Sequence, residues 1–195
     1  MKVCLFGGTF DPPHNGHLAI ARQCRQELNL ERIYFIPAFL APHKTNLKIA
    51  DVRHRLAMLN LAVQNESGFE ILKFELERQG ISYSIDTILA VKREFQLGKK
   101  DLYFLIGADS FTEFNTWREP ERILDECRVI VAGRPGFSID RVPQAYRQKV
   151  MVLSNPLMTV SSTDIRQRIQ KHLSVDELIP EPVLDYIRKN KLYQN

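Results

Sequence analysis

Short apolar runs alternate with amphipathic stretches along nearly the whole chain. Val3-Cys4-Leu5-Phe6 reads as a strand, and LAIARQCRQELNL, from Leu18 to Leu30, follows with its apolar residues on one helical face. Arg32 to Pro37 predicts a second strand. Asp51 to Gln64 predicts a helix with Asp51 as N-cap and Leu56, Leu59 and Val63 on one face. Phe69 to Glu77 predicts a strand, because Ile71, Lys73 and Glu75 alternate with Leu72, Phe74 and Leu76. Ser84 to Phe95 predicts a helix capped by Ser84, with apolar Ile85, Ile88, Leu89 and Val91. Asp101 to Gly107 is almost unbroken apolar sequence, the pattern of a strand covered on both faces. Glu119 to Glu126 predicts a short helix that Pro120 can open at its first turn. Val129 to Ala132 and Val150 to Leu153 predict the last strands, and Ser162 to Lys171 and Pro182 to Lys189 the last helices.

Strand and helix therefore alternate. That pattern predicts an α/β fold: a Rossmann-like, doubly wound parallel sheet with flanking helices and a small C-terminal helical portion. No linker or repeat interrupts residues 1–195, so one domain is expected. In such a sheet, ligands bind outside the carboxyl ends of the strands, near the point where strand order reverses. The loops after the strands are the places to look for chemistry.

Composition narrows the class only slightly. The chain of 195 residues is 44% hydrophobic and 26% charged, with a net charge of +4. That mild positive charge suits small anionic substrates and does not call for nucleic acid. The start, MKVCLF, lacks the long apolar stretch of a signal peptide, and no apolar run approaches membrane-spanning length. The three cysteines are widely spaced and odd in number, which argues against a disulfide framework. Cys4 and Cys127 fall in or beside apolar runs, Cys24 falls in the first helix, and a reducing cytoplasm fits all three.

The richest stretch is VCLFGGTFDPPHNGH, Val3 to His17. It runs strand, glycine turn, helix start, the arrangement that aims backbone N–H groups and the positive end of a helix at an anion. Gly7-Gly8 by itself could be an ordinary tight turn. The spacing fits neither GxGxxG nor GxxxxGK[ST], so neither the dinucleotide nor the Walker pattern applies. His14 and His17 sharpen the reading, since imidazole N–H groups at a helix start can donate to phosphate oxygens. A solvated or metal-binding pair is the other reading, and no further His/Cys/Glu cluster stands nearby to complete a zinc site.

Other loops carry secondary candidates. Lys44, in Pro42-His43-Lys44, reads as a solvated loop lysine when taken alone. Ser82-Tyr83-Ser84-Ile85-Asp86-Thr87 is either a plain capping segment or a helix start that binds an anion or amide. Asp109 closes the most apolar strand, a better place for function than a surface aspartate. Trp117, the only tryptophan, lies in the polar segment Thr116 to Pro120, which favours a lip position over a core one. Arg134, in Gly133-Arg134-Pro135-Gly136, is a turn residue or a ligand for phosphate or carboxylate. In VSSTDIR, capping explains one hydroxyl but not Ser161, Ser162 and Thr163 together with Arg166.

GGTFDPPHNGH resembles the signature of the nucleotidyltransferase superfamily with an HxGH motif, and VSSTDIR resembles its ISSTxIR segment, with Val160 in place of isoleucine. SYSIDT, and IGADS followed by Trp117, resemble segments of the nicotinate-nucleotide adenylyltransferases; the tail from Pro180 to Tyr193 is similar too. The resemblance thus covers nearly the whole chain, in the family's motif order. It implies adenylyl transfer from ATP to nicotinate mononucleotide, with release of pyrophosphate, in NAD biosynthesis. It implies catalytic roles for His14, His17 and Arg166, and an ATP site of Gly8, Thr9, Phe10, His14, His17, Ser161, Ser162, Thr163 and Arg166. It further implies pyridine-nucleotide contacts from Thr87, Asp109 on the ribose side, Trp117 stacked on the ring, Arg118 and Arg134, with Lys44 near the phosphates. Mg²⁺ is implied on the triphosphate, held by phosphate oxygens and water. Two alternatives stay open: an enzyme like phosphopantetheine adenylyltransferase, which shares the first loop and the SST helix, and a non-catalytic nucleotide-binding module. Oligomeric state is not legible.

Overall fold

A computed structural model of the chain describes residues 1–42, 49–133, 142–153 and 160–194. The strands are β1 (Val3–Gly8), β2 (Arg32–Pro37), β3 (Phe69–Ile71), β4 (Leu102–Gly107), β5 (Arg128–Ala132) and β6 (Met151–Leu153). They form one parallel sheet in the order β3-β2-β1-β4-β5-β6. The chain works outward from β1 in one direction and then returns to β1's other side with β4, so the order reverses between β1 and β4. The helices are α1 (Asn15–Glu27), α2 (Val52–Val63), α3 (Phe74–Arg78), α4 (Ser84–Glu94), α5 (Ala108–Thr112), α6 (Pro120–Glu126), α7 (Gln144–Arg147), α8 (Ser162–Gln170) and α9 (Glu181–Lys189).

The two-residue period of the strands splits the core in two. Cys4 and Phe6 of β1, with Phe35 and Leu105, pack against α1, α2, α8 and α9 through residues such as Leu18, Met58, Ile165 and Val183. Val3 and Leu5, with Ile36 and Phe104, pack against α4 and α6 through Ile85, Ile88 and Ile123. Covering both faces requires strands that are apolar throughout, which the sequence supplies.

Two local expectations fail. The run from Phe69 to Glu77 is not one strand. Its pairing with β2 ends after Ile71, where Leu72 N–H reaches Phe35 O at 3.0 Å. The chain then coils into α3, which packs a half-buried Phe74 against the core and buries Glu75. Ser84 does not cap α4. Tyr83 holds the N-cap position in extended conformation without a side-chain bond. Ser82 is tied elsewhere, accepting the Phe39 N–H at 3.1 Å. Asp51, by contrast, caps α2 as expected, accepting from Arg53 N at 2.8 Å.

All three cysteines are free and buried, and burial pushes the Cys127 thiol up to about 12. Among the described residues, no helix is long and apolar enough to cross a membrane.

Candidate active site

The carboxyl end of β1 turns through Thr9, Phe10 and Asp11 into α1. At Gly8, an added Cβ would come within 2.9 Å of the Phe10 ring, so the ring can lie on the backbone only because the side chain is missing. Phe10 itself takes φ 50°, in the left-handed region. Its ring is buried among Phe6, Phe35 and His17, so any ligand contact would come from its backbone. Beneath the turn lies Arg55 of α2, 1% exposed. Its guanidinium donates to the carbonyls of Thr9 (2.9 Å), Ala38 (2.8 Å), Phe39 (3.2 Å) and Ala50 (3.1 Å), joining the loops after β1 and β2 to the start of α2. Burial draws Arg55 below its ordinary value; the charge of Asp11 opposes this.

α1 begins inside the histidine motif. His14 is its N-cap, and the two histidines form a reciprocal capping box. His17 N–H donates to His14 Nδ1 at 3.3 Å, and His14 N–H donates to His17 Nδ1 at 3.2 Å. A ring nitrogen that accepts carries no proton, so this geometry assigns both neutral rings as the Nε2–H tautomer. Gly16 lets the motif close up: a Cβ there would lie 2.6 Å from Val160 Cγ1 and 3.1 Å from His14 Nδ1.

The segment before and into α8 comes back onto the same turn. Its three hydroxyls have separate partners. Ser161 caps the helix by accepting Asp164 N–H at 3.1 Å, Ser162 donates to Pro12 O at 2.9 Å, and Thr163 accepts from Arg166 Nη2 at 3.3 Å. Arg166 Nη1 donates to Asp11 O at 2.8 Å and lies 3.9 Å from Asp11 Oδ2. The Asp11 carboxylate, 2% exposed, accepts the Tyr193 hydroxyl at 2.6 Å and the Ala50 N–H at 3.3 Å.

A cavity of about 260 Å³ opens at the ends of β1 and β4. Gly8, Thr9, Glu75, Ser84, Trp117 and Arg118 are among the residues that line it. Trp117 packs its ring against Phe104 and Phe114, with centroids 6.2 and 5.4 Å away. Arg118 stacks over Tyr83 at 4.8 Å and faces Asp86 at 3.6 Å, which holds the Trp117 loop against the start of α4. Thr87 is buried and does not line the cavity itself; its hydroxyl donates to the lining Glu75 at Oε1, 2.7 Å away. Burial raises the Glu75 carboxyl above its ordinary value, with hydrogen bonds from Thr87 and Ser82 pulling the other way. Asp109 is exposed in α5, between the cavity-lining Gly107 and Ser110. Lys44 and Arg134 lie outside the described residues.

Residues 5–168 match the cytidylyltransferase-like family model. A protein of Exiguobacterium sibiricum, named a probable nicotinate-nucleotide adenylyltransferase, is 41% identical over 99% of both chains. One of the same name from Moorella thermoacetica is 37% identical over 99% of this chain and 92% of its own. The chain belongs to the nicotinate-nucleotide adenylyltransferase family.

The fold agrees with that assignment. It superposes on the Plasmodium falciparum nicotinic acid mononucleotide adenylyltransferase complexed with NaAD at a TM-score of 0.79, with 20% identity, covering 98% of this chain and 97% of the other. Sequence reasoning missed three residues: Glu75, which lines the cavity, and Arg55 and Tyr193, which hold the turn after β1. Arg55 had a signal: it lies one turn before Leu59, on the buried face of α2, where a charge is out of place. Glu75 was disguised by a false strand alternation. Tyr193 had no signal, because only the folded chain brings it to Asp11.

Proposed function

We propose that this protein transfers the adenylyl group of ATP to nicotinate mononucleotide, giving nicotinate adenine dinucleotide and pyrophosphate. The observation that carries the reading is the cavity that joins the histidine-capped phosphate turn, at Gly8 and Thr9, to a pocket with an aromatic lip at Trp117. A phosphate oxygen of the mononucleotide attacks the α-phosphorus of ATP. The new P–O bond forms as the bond to the β-phosphate bridge breaks, and pyrophosphate leaves. Phosphate is already a nucleophile, so positioning and charge stabilisation are the main demands on the protein. The Nε2–H groups of His14 and His17, with the amino end of α1, suit the developing charge. Arg166, Thr163 and Ser162 suit the triphosphate. At the other end, the first-turn N–H groups of α4 have no partner within the helix and suit the ring carboxylate. Trp117 suits the ring itself. Asp109 is assigned to the ribose, Arg118 and the Thr87 segment to the carboxylate end, and Lys44 and Arg134 to the anionic groups, all by the family resemblance.

Mg²⁺ enters as part of the ATP substrate in this reading. The donors around the turn are imidazole, hydroxyl and backbone N–H, which meet phosphate oxygens rather than a cation, and the Asp11 carboxylate is already bonded to Tyr193 and Ala50. The whole chain is read as one catalytic unit, since Ser162, Arg166 and Tyr193 all bond the 11–12 turn. Three free, buried cysteines suit a cytoplasmic enzyme.

Pyrophosphate release is the test, with ATP against nicotinate mononucleotide, nicotinamide mononucleotide and phosphopantetheine. Release that depends on nicotinate mononucleotide is expected. Release with phosphopantetheine alone would reassign the acceptor, and ATP binding with no release for any acceptor would make the protein a binding module.

A further inference from the structure

The Tyr193 hydroxyl reaches across 182 residues of sequence to give Asp11 Oδ1 its shortest hydrogen bond, 2.6 Å. The same hydroxyl lies 4.0 Å from Met58 Sδ of α2, and the ring packs against the core that Met58 belongs to. Burial and the neighbouring Asp11 charge push its phenol well above the usual tyrosine value, which makes it the donor and Asp11 the acceptor. Two cations stand near this carboxylate. Arg55 has its guanidinium committed to four backbone carbonyls and cannot turn without breaking them. Arg166 is less constrained: it bonds the Asp11 backbone carbonyl and Thr163 Oγ1, and its ion pair with Asp11 Oδ2 is long, at 3.9 Å.

We propose that Tyr193 is a positioning residue for the ATP site: by occupying Asp11 Oδ1, it keeps Arg166 on the backbone carbonyl and able to meet the triphosphate, instead of tightening its long 3.9 Å contact with the Asp11 carboxylate into a bidentate ion pair. Without the hydroxyl, Oδ1 keeps only the long Ala50 N–H bond of 3.3 Å. A buried carboxylate short of donors draws the nearest movable cation. That cation is Arg166, and a guanidinium paired bidentate with Asp11 presents fewer donors to phosphate. The inference rests on the reading of Arg166 as a triphosphate ligand.

Tyr193→Phe keeps the ring and its packing and removes only the donor. Its KM for ATP is expected to rise about tenfold, the weight of one charge-assisted hydrogen bond, while the KM for nicotinate mononucleotide changes less than about twofold. Adding Asp11→Asn to Tyr193→Phe removes the competing charge and should recover most of the ATP affinity. Calorimetric titration with ATP alone reads the same effect without turnover. If Tyr193→Phe does not fold, Asp11→Asn alone serves: it should bind ATP as tightly as the wild type, and tenfold weaker binding overturns the proposal. An unchanged ATP KM in a folded Tyr193→Phe protein overturns it as well. So does a parallel rise in both KM values, which marks Tyr193 as merely structural. Wild-type protein that binds ATP but does not use nicotinate mononucleotide sinks the proposed reaction, and leaves the calorimetric comparison to decide this inference.

Discussion

His14 and His17 cap one another. Their rings lie 3.6 Å apart between centroids at an angle of 23°, and each Nδ1 accepts the backbone N–H of the other residue. One motif thus does two jobs. It gives the His14 N–H an acceptor and the His17 N–H, which also bonds His14 O at 2.9 Å, a second one, and it leaves the proton of each neutral ring on Nε2, the nitrogen that can donate to phosphate.

His17→Ala removes a donor that matters most when charge builds up at the reacting phosphorus. The expected loss in kcat is at least about a hundredfold, by comparison with the removal of one oxyanion donor. His14→Ala removes the N-cap as well, so it should also lower stability by about 0.5–2 kcal/mol and raise the KM for ATP. Steady-state kinetics with a denaturant melt check both, and a folded His17→Ala protein with near-normal kcat would remove His17 from the mechanism.

Gly16→Ala tests the close packing of the motif. The added methyl would sit 2.6 Å from Val160, whose neighbours lead into α8, and 3.1 Å from His14. Alanine favours a helix interior, yet here the clash should dominate, at a cost of about 1–3 kcal/mol. Activity should fall further than stability, because the clash displaces the ring that caps α1. A variant at least as stable as wild type, with unchanged kcat/KM, would show that Val160 moves aside freely.

Trp117→Ala should raise the KM for the pyridine nucleotide and barely change the KM for ATP. The ring lines the cavity and packs on Phe104 and Phe114. Losing its stacking face should cost about tenfold, in line with a contribution of about 0.5–1.5 kcal/mol for an aromatic pair plus the buried area. Equal effects on both substrates would mean that Trp117 supports the fold rather than the ring.

Glu75 predicts a pH signature in stability. Its carboxyl is raised above the ordinary 4.5, first by burial, so the folded state holds this proton more tightly than the unfolded chain. The stability it contributes is full below 4.5 and is lost as pH climbs through the raised folded value. Glu75→Gln has no proton to lose. The wild type should therefore lose stability relative to Glu75→Gln as pH rises, measured by urea melts from about pH 4 to pH 8. A constant difference across that range would contradict the raised carboxyl.

The layered sheet and the order of its parts were legible because they depend on local patterns. β1, β2, β4 and β5 are apolar on both faces, and α1, α2 and α4 carry apolar stripes at helical spacing, so each segment announces its own type. The anion-binding character of Val3 to His17 was legible for the same reason: glycine turn, helix start and histidines are neighbours in sequence. What the local pattern mistook was Phe69 to Glu77, where alternation continues after the ladder with β2 has stopped.

The partners that hold the turn belong to the tertiary structure. Which of the three hydroxyls caps α8 and which bonds Pro12 depends on α8 returning to β1. That Thr87 turns to Glu75 while Ser84 lines the cavity depends on α3 packing behind α4. Arg55 shows in sequence only as a charge out of place on the apolar face of α2, with nothing to name its four carbonyl partners, and Tyr193 reads as one more residue of the tail. Hydrogen bonds and desolvation act over a few ångströms of space, whatever the separation along the chain. Asp11 therefore acquires its environment only when residues 50, 166 and 193 converge on it.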